Sequence, residues 1–125
     1  QEPVLLKDIA QRQQISTMYL EHLVTPLITM GLVRSIRGPR GGVWLTKPPE
    51  EIRLSDVIAI LEGSLAPVEC VNDTKFCPRA DSCVTRELWG KLKRAMDQVL
   101  ESTTLQDLVN QHREKESPYQ AMYHI

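Results

Sequence analysis

The sequence has few aromatic residues and no long hydrophobic run. One phenylalanine, two tryptophans and three tyrosines occur in 125 residues, so the 42% of hydrophobic residues predict a core that is mainly aliphatic. No segment approaches the roughly 18 apolar residues of a membrane-spanning helix, and no basic-then-apolar secretory signal opens the sequence. We therefore expect a cytoplasmic protein without a membrane partner, built as one domain or as a small domain with an appendage.

Cysteine is absent everywhere except in the segment CVNDTKFCPRADSC, residues 70–83. Three cysteines without secretory context favour a reducing compartment and a metal or redox role over a disulfide framework. Cys70, Cys77 and Cys83 follow a C-x6-C-x5-C spacing, which is longer than the C-x2-C of zinc ribbons. Soft thiolates suit iron–sulfur clusters, zinc or copper(I), and the wide spacing favours a bulky cluster. Zinc, and unligated cysteines that act as thiol sensors, remain alternatives.

Negative charge is missing from residues 34–47, which carry four positive charges. The whole chain has a net charge of −1, so this basic stripe contrasts with the rest of the sequence. A basic stripe of this kind indicates a polyanionic partner, although many charge runs are only solvated faces.

Two helices are predicted in the first 30 residues. Leu6, Ile9 and Ala10 at helical spacing predict a short first helix. Ser16 is placed to cap a second helix, because its hydroxyl can accept a hydrogen bond from an exposed backbone N–H of the first turn. Pro26 removes one hydrogen bond from that helix and is expected to kink it. The apolar stripe predicted to be buried consists of Leu20, Leu23, Val24 and Leu27.

A basic β-hairpin follows the two helices. Residues 32–36 and 43–45 predict two strands, joined by the turn RGPRGG at residues 37–42. This order of elements is that of a winged helix-turn-helix, in which the second helix enters the major groove of DNA. The hairpin then contacts the DNA backbone or a minor groove. A helix-and-hairpin unit that serves only as a protein interface is the alternative.

A long helix is predicted from Cys83 to Glu101, after a compact helix that stops at Gly63. Apolar residues of the long helix recur at spacings of 4, 3 and 4, as in a coiled-coil seam. A helix this long at the end of a small domain usually packs on another chain, so we expect a homodimer; packing on its own domain is the alternative. The predicted dimer interface consists of Leu88, Leu92, Ala95, Met96 and Val99.

The fold class predicted from these elements is mainly α, with a small β-hairpin wing and a long dimerisation helix. The winged helix-turn-helix domain is expected over residues 1–63, and the cysteine-bearing loop over 64–82. A possible capping box at residues 103–106 predicts a short last helix to about His112. The dimerisation helix and this last helix then occupy residues 83–112, and residues 113–125 form a polar tail.

Three segments resemble the bacterial transcription regulators that include IscR, NsrR and RirA. They are LKDIAQRQQISTMYLEHLV, GLVRSIRGPRGGVWLTKPPEEIRLSDVIAILEG and CVTRELW…TTLQDLV. The resemblance implies a homodimer of winged-helix subunits that binds double-stranded promoter DNA. It also implies an iron–sulfur cluster held by Cys70, Cys77 and Cys83. Members usually begin with a further helix, which implies that the 1–63 domain lacks its first helix here.

The resemblance also assigns roles to single residues. Glu21 matches a residue of the DNA-reading helix that faces the bases, Tyr19 matches an aromatic residue of the same helix, and Arg37 matches an arginine of the wing. Arg86 stands where IscR-like members with a 2Fe–2S cluster have a histidine ligand, and a guanidinium cannot ligate iron. A 2Fe–2S cluster is favoured and a 4Fe–4S cluster is possible, with the fourth ligand open. The expected DNA-binding residues are Thr17, Met18, Tyr19, Glu21, His22, Arg34, Arg37 and Arg40.

Two functions from different classes follow. The first is a transcription regulator whose promoter binding depends on an iron–sulfur cluster that senses iron–sulfur status, iron, redox state or nitric oxide. The second is a redox or metal-carrying module that uses the winged helix as a protein interface. We expect no enzyme, because no nucleophile–base pair or acid–base constellation accompanies the thiols.

Overall fold

The chain divides into two compact units, Gln1–Ile52 and Arg53–Ile125. The computed structural model describes the backbone of residues 2–66, 71, 75 and 82–123, and the side chains of these residues as far as Glu116. Among these residues, the first unit contains two helices and a hairpin, and the second contains three helices. The mainly helical fold with a single small hairpin in the described part of the chain is the predicted fold class.

The first unit packs two helices against a β-hairpin. Helix α1 is Leu6–Gln13 and helix α2 is Thr17–Thr29. Strand β1 is Val33–Ile36 and strand β2 is Gly42–Leu45, followed by a 3-10 turn at Pro49–Glu51. The core of this unit is aliphatic, as predicted, and its buried residues are Ala10, Leu20, Val24 and Val33.

Helix α2 begins and ends as its sequence predicts. The Ser16 side chain accepts a hydrogen bond from the backbone N–H of Tyr19, 3.0 Å away, and so satisfies one donor of the first turn. Gly31 has a φ of 81°, a left-handed conformation that favours glycine directly after a helix. The helix runs through Pro26 to Thr29, so the proline does not end it.

The hairpin is antiparallel, and the start of the chain adds to it. Arg34 pairs with Trp44 and Ile36 pairs with Gly42. Val4 forms an isolated antiparallel bridge to Val43, with N–H to carbonyl distances of 2.9 and 2.8 Å in the two directions. Strand β2 therefore has backbone partners on both edges, although only the β1 side was predicted. We call residues 33–45 the wing.

The second unit consists of α3, Leu54–Leu61, α4, Val84–Ser102, and α5, Leu105–Tyr123. Helix α3 packs against α4, and Gly63 follows α3 with a φ of 73°, as predicted for its C-terminal stop. The start of α3 is joined to the end of α4, because the backbone N–H of Leu54 donates to the carbonyl of Thr103 at 2.9 Å.

Two predicted boundaries and one predicted capping pair differ from the structure. The first unit ends at Ile52 and α3 belongs to the second unit, whereas the winged domain was expected to reach residue 63. Helix α5 extends to Tyr123, whereas it was expected to end near His112 and to be followed by a tail. The capping pair at its start is formed by Thr104 and Asp107, and not by Thr103 and Gln106.

Candidate nucleic-acid interface

The outer face of α2 is set by the residues that the helix buries. Leu20 and Val24 lie in the core of the first unit, so the residues on the opposite side of the helix point to solvent. The Ser16 cap fixes the first turn at Thr17. All five residues of α2 that were predicted to contact DNA are exposed: Thr17, Met18, Tyr19, Glu21 and His22.

Helix α2 carries almost no charge. Glu21 is its single carboxylate, His22 is its single titratable base, and its first turn holds no acidic residue. Unpaired backbone N–H groups make the start of a helix electropositive. This end of α2 is therefore compatible with a polyanion, but the helix brings no net positive charge of its own.

The positive charge lies on the wing and directly after it. Arg34 extends from β1, Arg37 and Arg40 lie in the connection between the two strands, and Lys47 follows β2; all four side chains are exposed. The three arginines are the wing residues predicted to bind DNA. Lys47 adds a fourth cation that the predicted site omitted, although it belongs to the same acid-free stripe.

Glycines give the wing its narrow turn. Gly38 has a φ of 114°, and the backbone N–H of Gly41 donates to the Gly38 carbonyl at 2.9 Å. A Cβ atom on Gly41 would collide with the backbone carbonyl oxygen of Ile36. Only a residue without a side chain fits there, so the turn stays tight, with Arg37 directly before Gly38 and Arg40 directly before Gly41.

Thr46 joins the wing to the end of α2. Its hydroxyl lies 2.6 Å from the carbonyl oxygen of Gly31, and its backbone N–H donates to the carbonyl of Leu32 at 3.0 Å. These hydrogen bonds tie the residue that follows β2 to the segment that connects α2 with β1. Sequence reasoning missed this residue, because no local pattern indicates a hydrogen bond across 15 positions.

Cys83 is the cysteine that the structure describes, and it lies directly before α4 as the N-cap residue. Its Sγ is 3.0 Å from the Thr85 hydroxyl oxygen. The hydrogen bond with Thr85 is the largest cause that lowers the pKa of the Cys83 thiol, and the backbone N–H of Arg86 adds to it, while desolvation opposes them. A thiol with a lowered pKa supplies thiolate, the form that ligates metals.

The other two predicted metal ligands, Cys70 and Cys77, lie outside the described residues. Within residues 2–66, 71, 75 and 82–123, no group of three or more His, Cys, Asp or Glu side chains is arranged to hold a metal ion. The predicted three-cysteine site thus remains a prediction.

The predicted dimer interface forms an apolar strip along α4, which we call the α4 seam. Its residues are Leu88, Leu92, Ala95, Met96 and Val99. Leu92 is 43% exposed, and Leu88 and Val99 are exposed as well. Leu65 and the C-terminal half of the seam line an apolar groove of about 380 Å³. Helix α3 packs on α4 without covering the seam, so a large apolar surface faces solvent in the isolated chain.

A membrane span is ruled out for the helices that the structure describes, since none of them is both long and apolar enough to cross a bilayer.

Comparison with known proteins identifies the family. Residues 1–111 match the family described as Rrf2, iron-dependent transcriptional regulator. The protein rrf2 of Nitratidesulfovibrio vulgaris is 44% identical over 109 residues, which cover 87% of this chain and 73% of that protein. The regulator CymR of Bacillus subtilis is 44% identical over 108 residues, which cover 86% of this chain and 73% of CymR.

Solved structures agree with the sequence matches. The structure of Bacillus subtilis CymR, described as the global cysteine regulator, superposes with a TM-score of 0.71 at 45% identity, covering 87% of this chain and 79% of that one. IscR of T. potens superposes with a TM-score of 0.73 at 40% identity, covering 91% of this chain and 74% of that one. These relatives are named as regulators and not as enzymes, as was expected for this chain. The chain belongs to the Rrf2 family and is a DNA-binding winged-helix transcription regulator.

Proposed function

We propose that this protein is a cytoplasmic homodimer that binds double-stranded promoter DNA and releases or retains it according to the state of an iron–sulfur cluster. In each subunit, α2 enters the major groove and the wing contacts the backbone or a minor groove. The observation that carries the DNA-binding part is the pairing of α2, whose outer face is exposed and nearly uncharged, with an acid-free basic wing that Thr46 ties to the segment after α2.

The two DNA-binding surfaces have different tasks. Contacts from lysine and arginine to phosphates position a protein on DNA, and contacts to base edges select the sequence. The arginines of the wing suit the first task. On α2, Glu21 suits the second, because a carboxylate accepts a hydrogen bond from the amino group of cytosine and repels the acceptor groups of other bases.

Dimerisation proceeds through the α4 seam. A row of apolar side chains at spacings of 4, 3 and 4, with both leucines and the valine exposed, is what two helices need for knobs-into-holes packing. Two-fold symmetry of the dimer then presents two copies of α2 to two half-sites of one operator.

The cluster is held by Cys70, Cys77 and Cys83, with Arg86 outside its ligand set. The chemistry of Cys83 fits this role, since its thiol is partly exposed and its pKa is lowered. When bound, an iron–sulfur cluster supplies a redox-active centre that reacts with oxygen or nitric oxide. Because Cys83 is the N-cap of α4, holding or losing a ligand at this residue acts directly on the start of the dimerisation helix.

The test compares the protein with a variant in which all three cysteines are replaced by alanine. Protein reconstituted without oxygen should contain iron and sulfide and show the absorbance of a cluster, and the triple variant should contain neither. Promoter affinity should differ between the loaded protein and the triple variant by at least tenfold. Arg86→Ala is the matched control and should retain the cluster and the parent's affinity. Equal affinity of the loaded protein and the triple variant would show that no cluster controls DNA binding.

A second candidate is a regulator in which the cysteines act without a cluster. The likeness to CymR, whose structure is described as that of a cysteine regulator, favours this candidate. It predicts that reconstituted protein binds neither iron nor sulfide, and that DNA affinity instead changes with thiol oxidation. The iron and sulfide counts of the same experiment decide between the two.

A further inference from the structure

The first turn of α2 exposes large apolar side chains. Met18 is 70% exposed and Tyr19 beside it is exposed as well, while Leu20, Val24 and Leu27 are the residues of α2 that pack in or against the core. No acidic or basic residue accompanies them in the first turn. Large apolar side chains exposed side by side at the start of a helix are available to contact an apolar group of a binding partner.

The major groove of DNA offers one kind of apolar group, the 5-methyl group of thymine. The residues near the start of a recognition helix are the ones that reach the base edges. Methionine is long, unbranched and polarizable, and it adapts to the shape of its apolar partner. We infer that Met18 contacts the 5-methyl group of a thymine and thereby helps to select the operator; this inference rests on the proposed entry of α2 into the major groove.

Met18 shares its side of the helix with the residue proposed to read cytosine. Residues three and four positions apart lie on the same helix face, so Met18 is aligned with Glu21 and His22. Along the axis, residues three positions apart are separated by about 4.5 Å, and successive base pairs are separated by about 3.4 Å. Met18 and Glu21 therefore address neighbouring base pairs, and each half-site should contain a thymine next to a cytosine-containing pair.

The experiment removes single methyl groups from the DNA. An operator is first selected with the full protein from a random pool of duplexes at fixed salt. Each thymine of a half-site is then replaced by deoxyuridine, which keeps all hydrogen-bonding groups and loses only the methyl group. Loss of one buried carbon group costs about 0.8 kcal/mol, so replacement at one position should weaken binding about fourfold.

Substitutions of Met18 then test whether this residue contacts the thymine methyl group. Met18→Ala should bind the unmodified operator about fourfold more weakly and should no longer distinguish thymine from deoxyuridine at that position. Met18→Leu keeps an apolar side chain and should still distinguish them. Met30→Ala is the matched control, since Met30 is 66% exposed at the opposite end of α2, and it should behave like the parent. Circular dichroism and thermal unfolding confirm that each variant is folded.

The outcomes separate this inference from the function on which it rests. If Met18→Ala still discriminates against deoxyuridine at the sensitive position, another residue makes the methyl contact and the inference is wrong. If no thymine methyl matters but Glu21→Ala changes the selected bases, α2 reads DNA without Met18. If the protein selects no sequence at all, the proposed docking of α2 fails together with the inference.

Discussion

At the scale of single residues, the positive charges and the residue proposed to read bases lie on different elements of the first unit. The basic stripe of residues 34–47 holds four cations and no acid, and α2 holds one carboxylate. Sequence patterns predicted this division, because the apolar spacing of α2 shows which of its residues face outward. The hydrogen bonds that tie Thr46 to the segment after α2 were not predictable, since they join residues that are distant in sequence.

The wing arginines should differ in how they affect DNA binding. Arg37→Ala should weaken binding by about 1–3 kcal/mol if its side chain enters a groove. If Arg40 meets only a phosphate, Arg40→Ala should weaken binding less, equally for all sequences, and should lower the salt slope by about one. Fluorescence anisotropy at several salt concentrations measures both effects. Lys7→Ala, which removes an exposed charge from α1, is the control. Wing variants that bind DNA with the same affinity as Lys7→Ala would contradict the docking of the wing.

The thiol of Cys83 should react with alkylating agents at a lower pH than an ordinary cysteine. Folding lowers the pKa of this thiol, so its contribution to stability is present above the unfolded pKa and is lost as the pH falls through the folded pKa. The measurement uses cluster-free protein with Cys70→Ser and Cys77→Ser, so that Cys83 is its remaining cysteine. The alkylation rate is measured against pH, and its midpoint should lie at a lower pH in the folded protein than in the urea-unfolded chain.

Thr85→Val should raise the pH midpoint of Cys83 alkylation. The substitution keeps the shape of the side chain but removes the hydrogen bond that is the largest cause of the lowered pKa of the Cys83 thiol. Ser82→Ala removes a neighbouring hydroxyl and should leave the midpoint unchanged. A midpoint that is the same in folded and unfolded protein would show that Thr85 does not stabilise the thiolate.

At the scale of elements, the start of α5 depends on a reciprocal pair of hydrogen bonds. The Thr104 hydroxyl accepts from the backbone N–H of Asp107 at 3.1 Å, and the Asp107 carboxylate accepts from the backbone N–H of Thr104 at 2.9 Å. Together they satisfy two backbone donors that the helix itself leaves unpaired.

Thr104→Ala should therefore lower the free energy of unfolding by about 1 kcal/mol. Urea unfolding followed by circular dichroism at 222 nm, a standard wavelength for helix content, gives the value. Ser102→Ala is the control, since that hydroxyl only donates to a carbonyl of α4 and its loss should change the stability by a few tenths of a kcal/mol at most. Equal stability of the two variants would mean that the cap is not formed in solution.

The elements themselves were predictable, but two of their limits were not. Local apolar spacing predicts α1, α2, α3 and α4, since each helix has one face to bury. The assignment of α3 to the second unit follows from its packing against α4, which no local pattern contains. The helical residues 113–116 are arginine, glutamate and lysine, which favour helix; their polarity was interpreted as a tail. His112 and Glu116, 3.1 Å apart, add a pair at helical spacing.

At the scale of the whole molecule, the α4 seam should decide the oligomeric state. Leu92→Asp places a carboxylate in the proposed helix contact, where an unpaired charge is poorly tolerated. The subunit dissociation constant should rise on the order of 100-fold, and affinity for an operator with two half-sites should fall with it. Sedimentation at several concentrations measures the first effect and anisotropy the second.

Leu108→Asp is the matched control for this variant. Leu108 lies on α5 and is 42% exposed, nearly the same as Leu92 at 43%, so the two substitutions alter similar amounts of exposed apolar surface. Leu108→Asp should remain dimeric. If Leu92→Asp sediments as the parent does, the subunits meet elsewhere than at the α4 seam.

The positive charge lies on the wing and the proposed base contacts lie on α2. This division has a consequence for how fast and how accurately the protein finds its operator. Attraction by the cations of the wing acts at long range on any duplex and weakens as counterions are added. Contacts of α2 with base edges act only at short range and involve almost no charge. Raising the ionic strength should therefore shorten the time spent scanning every stretch of DNA, yet leave the ratio of dwell times on correct and incorrect sites nearly constant.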